Sequence, residues 1–138
     1  MDKHVKAIEA LKVNRTLEAL EKNGMKSYHI TDGNQLFEVL STLVEDGATA
    51  TAGGSMTLFE TGVLDWLKSR EINYLDRYQE GLTPHDIKRL YQKAFSADVY
   101  FTSSNAVTET GNLYNVDGRG NRVAAMIYGP DRVIVIIG

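Results

Sequence analysis

Ten consecutive residues, Thr102-Ser103-Ser104-Asn105-Ala106-Val107-Thr108-Glu109-Thr110-Gly111, gather side chains able to do chemistry. Eight of the ten are glycine or carry a hydroxyl, amide or carboxylate. Such a run makes a poor core and a good polar loop. It follows the short apolar signal Val99-Tyr100-Phe101, which predicts a loop leaving the end of a strand. Open α/β sheets bind ligands at that place. An earlier stretch, Ala52-Gly53-Gly54-Ser55-Met56-Thr57, has the same logic. Two such loops on one small domain predict one site built from two sides.

Each candidate has two readings. Glu109 lies among Asn105, Thr108 and Thr110, with Gly111 behind it. A carboxylate in such a loop can serve as general base or covalent nucleophile. It can equally hold the loop by accepting hydrogen bonds. Gly53 and Gly54 let backbone N–H groups turn toward one point. With Met56 in the turn and the hydroxyls of Ser55 and Thr57 as extra donors, the pocket would favour a carboxylate or phosphate. The plainer reading is a tight strand-to-helix turn with a hydroxyl cap. Arg122 can grip a carboxylate with two parallel hydrogen bonds, or form an ion pair with Asp117 or Glu109. Asp98, Asp76 and Arg77 are weaker candidates.

Other chemistries find little support. His4, His29 and His85 lack the short spacing of a zinc site, so no metal is assigned. No lysine follows the glycines as in a nucleotide P-loop, and the third glycine of the dinucleotide fingerprint is missing. The chain has no cysteine, hence no disulfide and no thiolate, and no cofactor is assigned to it. A formal net charge of −3 weakens a general case for nucleic acid.

The elements that must position these residues follow from periodicity. With 138 residues, 43% hydrophobic and 24% charged, the chain fits one ordinary domain, residues 1–138. Val5, Ile8, Leu11, Leu17 and Leu20, with charges between them, predict a first helix, ended at Asn23-Gly24. Residues 26–30 are predicted as a strand. Thr31 or Asp32 would cap a second helix carrying Leu36, Phe37, Leu40, Leu43 and Val44. Strands follow at 48–52 and 72–75. Between them one helix would carry Leu58, Val63, Leu64 and Leu67. Thr83-Pro84 opens a further helix before the strand at Val99.

That alternation predicts an α/β fold: a mostly parallel sheet with helices on both faces. The rhythm then changes. The turn cluster 117–121 lies between 113–116 and 122–128, which predicts a C-terminal β-hairpin. Val133-Ile134-Val135-Ile136-Ile137 is expected inside the sheet, buried on both faces. Because the chain stops one residue later, the natural gene product is expected to continue past Gly138. No apolar run approaches the roughly 20 residues of a membrane span, and no signal-peptide apolar region follows Met1. A cytoplasmic location is the default expectation, and self-association into a homo-oligomer stays open.

Three stretches together resemble the LUD-domain family of lactate-utilization proteins. They are Gly53-Gly54-Ser55-Met56-Thr57-Leu58 with Glu60 and Gly62, then Asn105–Gly111, then residues 116–125 with Gly129-Pro130. The resemblance covers about residues 48–138. It implies a fold like that of ribose-5-phosphate isomerase, glucosamine-6-phosphate deaminase and the CoA transferases. It also implies a place in bacterial L-lactate oxidation to pyruvate beside iron–sulfur partner proteins. Longer family members continue into a further helix and often a cysteine-containing tail, which this sequence lacks. The expected ligand is a small anionic metabolite or phosphate-bearing molecule. It would contact Gly53, Gly54, Ser55, Met56, Thr57, Asn105, Thr108, Thr110, Gly111 and Arg122. Two alternatives accompany this reading: an acyl-CoA transferase or sugar-phosphate isomerase-like enzyme using Glu109, and a non-catalytic docking subunit.

Overall fold

The computed structural model describes residues 2–138. Helix α1 (Lys3–Lys22) starts at Asp2, whose carboxylate accepts the His4 amide at 3.0 Å. The predicted first helix is present, and its first two turns do not pack inward although their apolar residues have helical spacing. Val5, Ile8 and Leu11 are exposed, and only the C-terminal half of α1 is partly covered. The stretch 26–30 forms no strand either. There the Ser27 amide and hydroxyl donate to the Glu21 carboxylate at 2.8 and 3.2 Å. A local side-chain partner takes the place of a sheet neighbour.

Helix α2 (Gly33–Leu43) is capped by Asp32, which accepts the Gln35 amide at 2.8 Å, and it buries Leu36 and Leu40. Strand β1 (Thr49–Ala52) leads to α3 (Met56–Glu60) and α4 (Val63–Ser69). The sequence suggests one helix here. Gly62 at φ +78° supplies the left-handed residue that breaks it in two. Then come β2 (Asn73–Leu75), α5 (Pro84–Ala94) and β3 (Val99–Thr102). A reciprocal capping box between Thr83 and Asp86 opens α5.

After β3 the chain makes β4 (Ala106–Val107), β5 (Leu113–Tyr114), α6 (Asn121–Ile127) and β6 (Arg132–Val135). A small antiparallel pair is present, but β5 pairs with β4, Val107 facing Leu113. Residues 122–127, expected as its second strand, are the helix α6 instead. The small pair Ala124-Ala125 favours helix and lets it lie close to the sheet, with Ala125 1% exposed. Gly120 at φ +78° turns the chain into it.

The four longer strands form one parallel sheet in the order β2-β1-β3-β6. Helices cover both faces, and β3 shows how. Val99 and Phe101 face a core of Leu36, Leu40, Leu58, Val63, Leu64 and Leu67, supplied by α2, α3 and α4. Tyr100 faces Ala94 of α5 and Ala125 of α6. Strand β6 is an edge strand, only half-buried, and not the interior strand that its β-branched run suggests. Its apolar side chains are accounted for by packing on both faces: Val133 meets the α5–α6 cluster, while Ile134 and Ile136 meet the larger one. No helix among the described residues is long and apolar enough to cross a membrane.

Candidate functional site

The sheet order dictates where a crevice opens. From β1 the chain moves outward to β2, whereas from β3 it moves the opposite way, to β6. The two connections diverge at the carboxyl ends of β1 and β3, leaving the gap in which open α/β sheets hold ligands. A cleft of about 360 Å³ lies at these strand ends, within the usual size for a small-molecule site. The β1 side supplies Gly54, Ser55 and Met56. The β3 side supplies Ser103, Ser104 and Asn105, and Arg122 completes it with Val116 and Asp117.

The β1 wall is a turn with no room to spare. The Gly53 amide donates to the Phe101 carbonyl at 2.9 Å. A Cβ at Gly53 would fall 2.6 Å from the Tyr100 hydroxyl and 3.1 Å from Arg122 Cγ. Tyr100 is 3% exposed and cannot step aside. A Cβ at Gly54 would lie 3.1 Å from an Arg77 nitrogen. Ser55 caps α3, its Oγ accepting the Leu58 amide at 3.4 Å. Thr57 sits inside α3 and does not line the cleft.

The β3 wall is braced by Arg122. Its Nη1 donates to the Ser103 carbonyl at 3.0 Å and to Asn115 Oδ1 at 2.7 Å. Its Nη2 donates to Asn105 Oδ1 at 3.1 Å and to the Val116 carbonyl at 3.2 Å. These four oxygen acceptors match the four hydrogens on the two terminal nitrogens, and Met126 Sδ lies 3.8 Å from Nη1 as a weaker fifth contact. Arg122 forms no ion pair with Asp117 or Glu109, contrary to the alternative raised by the sequence. Neutral loop oxygens occupy its fork first. Asn105 Oδ1 also accepts the Val116 amide at 2.8 Å, so one side-chain amide fastens two connections.

Asp117 turns its carboxylate to the start of α6, where it accepts the Val123 amide at 3.0 Å. Burial pushes its carboxyl upward. The Val123 amide, the Arg122 charge and the amides of Arg122 and Arg119 outweigh that, holding it below the usual carboxylate range. Asp117 is therefore charged at neutral pH.

The second half of the polar run goes elsewhere. Thr108, Glu109, Thr110 and Gly111 form the turn between β4 and β5. The Thr108 and Thr110 hydroxyls bond one another at 2.9 Å, and the Asn112 amide donates to Thr108 Oγ1 at 3.0 Å. The turn docks on the end of α1: Asn23 Nδ2 donates to the Thr110 and Gly111 carbonyls at 3.1 and 2.9 Å. Glu109 is exposed at the tip and makes no side-chain hydrogen bond among the described residues. None of these four residues lines the cleft.

The structure thus brings together Gly54, Ser55, Met56, Asn105 and Arg122 from the expected set, with Gly53 packed directly behind them. It adds Ser103 and Ser104, which continue β3 and are legible as such. It also adds Val116 and Asp117, which open the third stretch of the family resemblance but are not among the expected site residues. The lining is rich in hydroxyls and amides, with a single carboxylate at one side. That chemistry suits holding a polar molecule.

The family model described as the LUD domain matches residues 13–138. No curated protein and no solved structure gives a significant match to the chain.

Proposed function

Because this chain belongs to the LUD-domain family, which is associated with lactate utilization, we propose that it binds a small carboxylate or phosphate-bearing metabolite between the ends of β1 and β3. One observation carries the reading: the cleft lies where the sheet connections diverge and is walled by Gly54, Ser55, Ser103, Ser104 and Asn105. The family association further suggests work beside iron–sulfur partner proteins in oxidising L-lactate to pyruvate. Residues 1–138 contain no cysteine that could ligate such a cluster.

Titration of the labelled protein with L-lactate, pyruvate and inorganic phosphate tests the binding. Backbone amide signals of Gly54, Ser55 and Ser103–Asn105 should shift saturably. The bound form should also melt higher, since ligand at 100 times its dissociation constant adds about 2.7 kcal/mol. Absence of any shift at millimolar concentration, or shifts confined to another surface, would refute it.

A further inference from the structure

Arg122 cannot be the receptor of an incoming anion without giving up the loops it fastens. A second guanidinium stands beside the same turn. Arg77 follows β2 and is half-buried, yet it makes no side-chain hydrogen bond and no ion pair among the described residues. Its neighbour Asp76 is directed elsewhere, accepting the Tyr78 amide at 2.8 Å and facing Lys68 at 3.8 Å. Arg77 is flanked instead by two aromatic rings, 5.3 Å from the centre of Tyr78 and 5.0 Å from that of Tyr91.

A half-buried cation without a counter-ion is costly, and aromatic faces offset only part of that cost. The rings hold the plane of the guanidinium and leave its N–H edge without acceptors. The Gly54 turn lies against that edge, 3.1 Å from where a Cβ would begin. Between Arg77, Tyr100 and Asn121 is a hollow of about 10 Å³, room for one water or one ligand oxygen. The Tyr100 hydroxyl also lacks a hydrogen-bond partner among the described residues. Burial pushes its ionisation up to about 12, so at neutral pH it is a neutral O–H donor.

Resting on the cleft-binding reading above, we propose that Arg77, and not Arg122, receives the anionic group of the metabolite. The guanidinium edge beside the Gly54 turn is the subsite for a carboxylate or phosphate. One oxygen of that group reaches past the Gly54 turn into the hollow, whose lining is separate from that of the cleft, and accepts from Arg77 and from the Tyr100 hydroxyl.

The test uses the full chain and two probes, inorganic phosphate and pyruvate. In proton–nitrogen spectra the Arg77 Nε–H signal and the Gly54 amide should shift together with one dissociation constant. Arg77→Gln should raise that constant at least tenfold while the melting temperature stays within a few degrees. If Ser103 and Ser104 amides shift but Arg77 stays still, the Arg77 subsite is wrong and cleft binding survives. An unchanged constant in Arg77→Gln would likewise overturn the subsite and spare the cleft. If no signal moves anywhere, both readings fall. Should Arg77→Gln unfold, the Arg77 signal of the natural protein decides alone.

Discussion

Arg122 Nη1 lies 2.7 Å from Asn115 Oδ1, and this short bond joins the start of α6 to the connection that precedes it. Through Ser103 and Asn105 the same side chain also reaches the end of β3, and through Val116 it holds the β5–α6 connection a second time. The β3 wall of the cleft is therefore one hydrogen-bonded unit with a single cation at its centre.

Replacing that cation by a shorter donor should loosen the unit. Lysine has one nitrogen, three N–H groups and no fork, so Arg122→Lys leaves at least one of the four contacts unmade and cannot span the rest in the same geometry. Hydrogen bonds to charged groups contribute about 1.5–3 kcal/mol each, less where water can substitute. We expect a loss of about 2–3 kcal/mol, read as a lower urea midpoint at unchanged slope. A midpoint within error of the natural protein would show that the clamp is dispensable.

The β4–β5 turn should respond to changes on α1, far away in sequence. Asn23→Ala removes two bonds to the turn and should cost about 1–2 kcal/mol. Gly111→Ala should cost more, because Gly111 has φ +80° and its Cβ would fall 2.6 Å from the Ala19 backbone carbon. Thermal melts of both variants, with exchange rates of the Gly111 and Asn112 amides, check the order. Faster exchange in Gly111→Ala than in Asn23→Ala is the expected outcome.

Glu109→Gln separates reagent from scaffold. The side chain is exposed and without a partner, so stability should change by no more than about 0.5 kcal/mol. A drop in melting temperature of many degrees would mean that Glu109 braces the turn after all. If a turnover assay is found for this protein, loss of rate in a fully folded Glu109→Gln would assign the carboxylate a chemical role. An unaltered rate would remove it from consideration.

Acid should weaken the hold of the β5–α6 connection through Asp117. Its folded ionisation lies below the ordinary value of 3.8, with burial opposing and the Val123 amide and Arg122 favouring the charged form. A depressed carboxyl contributes stability that is present above its unfolded value. That stability is lost as pH falls through the folded one. Stability curves from pH 6 to pH 2 should thus be shallower for Asp117→Asn than for the natural protein. Parallel curves would show that Asp117 is not linked to folding.

The parallel sheet and its helical cover are legible because their signals are local. Asp32, Thr83-Pro84 and the apolar spacing of α2 and α5 each state an element within a few residues. Sequence and structure part where a distant partner decides. Val5, Ile8 and Leu11 have helical spacing, but spacing does not say whether a second surface lies beneath them. Residues 122–128 carry β-prone Val123, Ile127 and Tyr128; the fit of Ala125 against Tyr100, only visible in three dimensions, goes with helix through Ile127, and Tyr128 alone is extended. The ten-residue polar run reads as one loop. Two backbone pairings, Ala106 with Tyr114 and Val107 with Leu113, divide it into a cleft wall and a turn facing α1. Arg77 looks weak in the sequence because nothing near it there reveals the ring of Tyr91 or the turn at Gly54.

Gly53 and Gly54 stand side by side but are held to glycine by unequal means. At Gly53 the obstacle is a rigid phenol and the stem of an arginine whose terminal nitrogens are all engaged, so the first carbon of any side chain is already too much. Size has no bearing there, and drift through alanine or serine offers no gradual route. At Gly54 the obstacle is the tip of one arginine side chain, 3.1 Å away, which need give only a few tenths of an ångström. Among related sequences, glycine at the first position should therefore persist wherever this packing persists, whatever is bound. Glycine at the second should come and go with the arginine at position 77, making the pair a readable marker that tells inheritance of a scaffold from inheritance of a ligand.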